Sequence, residues 1–168
     1  MRKEFLLIAC LCLCPLGCQR GPDQVVDKVL TDFGIREPDE GYVSGAQRVF
    51  ERLDVVGKTE LKRLNQQQRH GTIKYQDEDL HGKYYKEVKV YENYYPLDAV
   101  PASRAGERGF TGYIEYSYRV HQSARKSTRA EAMAESASIP TGEEGRETYR
   151  YHFSAGGTWD GQEGEKSR

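Results

Sequence analysis

The side chains best suited to chemistry in this chain are Cys10, Cys12, Cys14 and Cys18, which are all the cysteines it has. Thiolates at this close spacing could hold a soft metal ion or pair as disulfides. A thiolate site needs a fold to set its tetrahedral geometry, however, and these four sit among Leu and Ile at the extreme N-terminus. With no cysteine after Cys18, there is no disulfide framework for the rest of the chain.

The other chemical patterns each lack a part. Val55-Val56-Gly57-Lys58-Thr59 ends like a phosphate loop, but Arg52 stands where the first glycine of that loop is required. Asp77-Glu78-Asp79-Leu80-His81-Gly82 imitates the first half of a calcium loop. It places His81 at a ligand position and Val88 where a bidentate Glu is needed, so a solvated turn is the expectation. His70, His81, His121 and His152 show no HExxH spacing. His121 and His152 fall on the polar parity of two candidate strands, where a suitable register would bring them together as a ligand-contact pair. Neither GxSxG nor a cysteine beyond Cys18 supplies a nucleophile, so no catalytic residue, metal or other cofactor is expected.

The cysteine segment makes better sense as something processed. Arg2 and Lys3 precede an apolar run from Phe5 to Leu16, after which Gly17-Cys18 gives way to a polar chain. That is the layout of a secretory signal peptide, and the run falls short of the about 20 apolar residues that cross a bilayer. Pro15-Leu16-Gly17-Cys18 resembles the lipobox of bacterial lipoproteins, in which a small residue precedes the cysteine that becomes the lipidated N-terminus. Gly17 and Cys18 match that pattern, and Pro15 stands where Leu is usual. The rival Leu7-Ile8-Ala9-Cys10 would leave only Phe5–Ala9 as its apolar run, shorter than the roughly 7–15 residues such a segment needs. The resemblance implies cleavage after Gly17, lipidation of Cys18 and a tether over residues 18–21. Two or three acyl chains, at roughly 0.8 kcal/mol per buried CH2, would hold the protein at a membrane permanently. Gln19, in place of the Asp that favours inner-membrane retention, implies the outer membrane over the inner.

The whole chain balances 25 Lys and Arg against 26 Asp and Glu with the signs interspersed. A nucleic-acid partner, which needs a basic face, is therefore not expected.

Residues 22–159 read as one domain. Val25, Val26, Val29, Leu30 and Phe33 recur at helical spacing and Gly34 follows as a stop. Ser44 and Gln47 form a capping-box pattern ahead of Ala46, Val49, Phe50, Leu53 and Val56, which predicts a second helix, interrupted at Gly57. Thr59–Gln68 predicts a third helical piece. Strand patterns then follow over residues 71–76, 84–94 and 112–121, and again at Tyr149, Tyr151 and Phe153. In the clearest of them Ile114, Tyr116, Tyr118 and Val120 point one way while Glu115, Ser117, Arg119 and His121 point the other. Residues 96–109 read as a loop. Residues 123–145 have helix formers at their centre without a packing face, a marginal element, and residues 160–168 read as a disordered tail.

All 12 tyrosines but Tyr42 lie between Tyr75 and Tyr151. Their alternation with Ile and Val predicts that they form much of the core. Tyr85, Tyr91 and Tyr95 take the opposite parity and are the candidates for an exposed aromatic surface. The expected class is α+β, with helices on a curved four-stranded antiparallel sheet, in outline resembling cystatin-like or nuclear-transport-factor-like folds. Function follows from the anchor and the missing catalytic patterns: a noncatalytic binding or interaction domain at a bacterial envelope, meeting an envelope protein or small ligand. The alternative is a ligand or enzymatic pocket between helices and sheet.

Overall fold

The computed structural model describes residues 26, 28, 30–32, 35, 37, 41–77, 82–102 and 108–167. The signal segment, Cys18 and the tether lie outside the described residues. The chain forms two units, Met1–Glu37 and Pro38–Arg168. In the first, Val26, Lys28, Leu30, Thr31 and Asp32 are helical, in agreement with the spacing, and the Ile35 amide donates to the Leu30 carbonyl at 2.8 Å.

In the second unit, Ser44 accepts a hydrogen bond from the Gln47 amide at 3.0 Å and starts helix α1, Gly45–Gln67. Val49, Leu53, Val56 and Leu64 form its buried face, and Phe50 remains 43% exposed. The expected break at Gly57 does not occur. Glycine costs a helix about 1 kcal/mol relative to alanine, which the neighbouring residues outweigh. Its position has another cause: a Cβ there would lie 2.4 Å from Tyr94 Cδ2, so glycine lets the strand's tyrosine press onto the helix. Lys58 and Thr59 are thus helix-interior residues, with Thr59 Oγ1 donating to the Val55 carbonyl at 2.9 Å, and the phosphate-loop pattern is structurally void.

A 3-10 turn, Gln68–His70, leads into β1 (Thr72–Gln76), β2 (Lys83–Pro101) and β3 (Phe110–Gln122). A short helix α2 (Arg129–Ala134), β4 (Ile139–Phe153) and β5 (Glu165–Lys166) complete the order. The five strands pair antiparallel in the order β1-β2-β3-β4-β5. The class is α+β as expected, with one strand more. Helix α1 lies on β2 and β3, and Leu53, Ile114, Tyr116 and Tyr151 are fully buried between them. Gly112 admits that contact, since a Cβ on it would come within 2.5 Å of Leu53 Cδ2. The tyrosine core is therefore real on β3 and β4.

Four further expectations change. Residues 96–101 belong to β2 and are not a loop: Pro96 pairs with Ile114 through Pro101 with Phe110. Because β1 covers β2 only as far as Glu87, the later part of β2 is an edge, where a proline is tolerated. The marginal stretch 123–145 holds α2, which has the complete reciprocal capping box, Thr128 with Glu131, and then the first half of β4. Residues 160–167 are no disordered tail. Gln67 Nε2 donates to Glu163 at 2.9 Å, Arg63 bonds Glu60 and the Gly161 carbonyl, and Arg150 pairs with Glu165, so helix and sheet both fasten this segment.

The fourth change concerns Tyr91. It is 4% exposed and belongs to the core, so it is no surface aromatic. Its backbone pairs with the Asn65 side chain: Tyr91 N–H donates to Asn65 Oδ1 and Asn65 Nδ2 donates to the Tyr91 carbonyl, each at 2.8 Å. One side-chain amide thereby supplies the hydrogen bonds a neighbouring strand would make. The register of β2 shifts after Tyr91 and again after Pro96, and each bulge resets which parity faces the helix.

Candidate functional site

Glu147 on β4 shares its parity with Tyr149, Tyr151 and Phe153, so the strand aims a carboxylate at the helix-covered side of the sheet. Its side chain is 6% exposed. Burying a carboxylate is costly unless charge and hydrogen bonds compensate, and here both do. Lys89 Nζ on β2 lies 2.6 Å from Oε1 and Lys166 Nζ on β5 lies 2.9 Å from the same oxygen. Tyr91 donates to Oε2 at 2.8 Å and Tyr149 at 3.1 Å. Lys89 also stands 4.4 Å from the ring centre of Tyr118. Two long strands, β2 and β4, and the C-terminal segment thus converge on one acid.

The electrostatics follow from that geometry. Burial by itself would raise the Glu147 carboxyl, but the hydrogen bonds from Lys89, Lys166 and Tyr91 outweigh it and hold the group down at about 2. Burial would lower Lys89, and the contact with Glu147 more than reverses this, so its ammonium is raised. Burial pushes Tyr91 up, and its bonds to Tyr149 and Glu147 push it further. Tyr149 is likewise raised, chiefly by burial. A general acid or base works best with a pKa near the operating pH. Every group in this cluster with a resolved shift is driven away from neutrality, and both carboxylate oxygens are occupied by donors.

Around the cluster, Lys89, Tyr118, Arg146, Thr148 and Lys166 line an open cleft of about 520 Å3. Arg146 reaches Glu115 at 3.0 Å and also stands 5.9 Å from the ring of Tyr95, which is 45% exposed. A second cavity, about 370 Å3, opens elsewhere between the 3-10 turn, β1, β2 and α2. Its walls include Arg69, His70, Lys86 and Arg129.

Of the residues the sequence singled out, Tyr95 is exposed as expected and Tyr85 is half-buried, 5.5 Å from Arg125. Tyr91 is interior, at the cluster. His121 and His152 do not meet: His152 pairs with Thr111, and His121 with Pro140. Along β3, His121 and Thr111 are separated by about 33 Å at the usual strand rise. The calcium-like turn at 78–81 lies outside the described residues. Among the described residues no group of three or more His, Cys, Asp and Glu could hold a metal ion, and no helix is long and apolar enough to cross a membrane. Glu147 was missed although a signal existed: it continues the Tyr149-Tyr151-Phe153 alternation, and a Glu on the dry parity of a strand needs partners. For Lys89 and Lys166 there was no such signal, because their places depend on which face of β2 the helix covers and on the pairing of the tail.

No known protein family, curated protein or solved structure matches this chain.

Proposed function

We propose that this is a lipoprotein of a bacterial envelope, anchored through Cys18, whose domain binds a partner or ligand without catalysing a reaction. The observation that carries the noncatalytic part is the state of Glu147. It is the centre of a dense cluster of titratable groups, yet its two oxygens accept from Lys89, Lys166, Tyr91 and Tyr149, and its ionised form is locked in. Such a cluster braces strands to one another. The alternative of a pocket between helix and sheet finds less support, because Leu53, Ile114, Tyr116 and Tyr151 fill that space and the last two hydroxyls satisfy each other at 2.9 Å. In outline we read the domain, one long helix across an antiparallel meander, as cystatin-like or nuclear-transport-factor-like, an architecture that by itself carries no activity.

The anchor rests on Gly17-Cys18 and the charged, apolar segment before it. Its destination in this reading is the outer membrane, from Gln19. Metabolic labelling with a fatty acid, run beside a Cys18→Ser variant, tests it. Label in the parent and none in the variant is expected. Label that persists in the variant, or a parent protein free in solution, overturns the anchor.

A further inference from the structure

We propose that the cavity between the 3-10 turn, β1, β2 and α2 is a binding site for a phosphomonoester group. The proposal deepens the binding-domain reading above and rests on it. Three cationic side chains, Arg69, Lys86 and Arg129, line a space of about 370 Å3 together with His70, and no carboxylate among the described residues lines it with them. The chain as a whole carries a net charge of −1, so this concentration of cations is not a by-product of a basic protein. Gathering like charges costs free energy that a bound anion recovers.

Lys86 carries the argument furthest. It is only 9% exposed, although lysines are almost never buried without a partner. Its Nζ donates to the Met133 carbonyl at 3.1 Å, at the end of α2. That uses one of three ammonium donors; the nearby Glu135 carboxylate feels the Lys86 charge, but its hydrogen bond goes to Lys126 at 2.7 Å. Arg69 and Arg129 are exposed at the mouth and make no ion pair with any described residue. Arginine forks match phosphate oxygens two at a time, and a lysine supplies a point charge. The guanidinium pair with the buried ammonium suits a dianion, which favours a phosphomonoester over a carboxylate. Ile73 and Met133 add an apolar wall for a short organic portion. The volume lies at the small end of ligand pockets, which span about 300–1,000 Å3.

The same group can arrive on a soluble small molecule or on a lipid headgroup, and two arms separate these sources. The full-length chain carrying Cys18→Ser is titrated calorimetrically with inorganic phosphate and with glycerol phosphate at constant ionic strength. It is also sedimented with phosphatidylcholine vesicles with and without phosphatidate. Saturable binding in the first arm, the second or both supports the site, and the arm that responds names the source. Arg69→Gln and Arg129→Gln are each expected to weaken binding about tenfold, equivalent to about 1.4 kcal/mol. Lys86→Met should weaken it at least as much, while Lys89→Gln, in the other cleft, should leave it unchanged. Should Lys86→Met fold poorly, the two exposed arginine variants decide. Absence of saturable binding in both arms overturns the proposal, as does binding that neither arginine variant weakens. Fatty-acid labelling of the parent reports on the anchor independently, so the two readings fail separately.

Discussion

Lys86 and Lys89 stand three residues apart on β2 and have opposite surroundings. Lys89 meets a buried carboxylate at 2.6 Å with two tyrosine hydroxyls and a second lysine on the same acid. Lys86, on the opposite side of the strand, meets a backbone carbonyl and shares a cavity with two arginines that make no ion pair among the described residues. One region is a closed set of charges that holds β2, β4 and the C-terminal segment together. The other is an open set that lacks its counter-charge. The lesson is that paired charges within a core point to architecture, and unpaired ones around a cavity point to a ligand.

Glu147 is the residue on which the closed set depends most. Replacing it with alanine leaves two ammonium groups and two tyrosine hydroxyls without their acceptor, and a loss of about 3 kcal/mol in urea unfolding is expected. A loss below about 1 kcal/mol would show that the cluster braces nothing. Its pH dependence is equally specific. The Glu147 carboxyl is held at about 2 against an ordinary 4.5, so its stabilisation is complete above pH 4.5 and is lost as pH falls toward 2. Glu147→Gln should flatten that part of the stability profile, measured by unfolding across acid pH.

Lys89→Met is expected to cost less, about 1 kcal/mol, because Lys89 is 37% exposed and Lys166 still faces the acid. Lys86→Met sharpens the contrast from the other side. Removing a buried charge that makes no direct ion pair should leave stability within about 0.5 kcal/mol of the parent or raise it. If thermal unfolding shows Lys86→Met to be the more damaging of the two, the division between closed and open charge sets is wrong.

Much of the fold was legible locally. The Ser44 cap, the apolar spacing of Val49, Leu53 and Val56, and the alternation of Ile114, Tyr116, Tyr118 and Val120 depend on short-range periods of 3.6 and 2. All three appear in the structure. Gly57 misled because a glycine in a helix reads as a stop unless the tyrosine pressed onto it is known. Tyr91 misled because the more apolar residues of that stretch, Val88 and Val90, lie on the opposite parity, and only the docking of α1 on the sheet decides which face is the core. The tail misled because its composition is that of a disordered segment. Its order comes from Gln67, Arg63, Glu60, Arg150 and Glu147, all distant in sequence.

The sequence by itself determined the α+β class, the start of the long helix and the tyrosine character of the sheet's inner face, since each follows from residue type and spacing within one element. It also carries the lipoprotein resemblance at Gly17-Cys18, whose residues lie outside the described structure. Tertiary structure alone decided which lysine of β2 meets an acid and which meets a cavity. Those environments are assembled from β3, β4, β5, the 3-10 turn and α2, and pairing between elements depends on register and bulges that no single segment encodes.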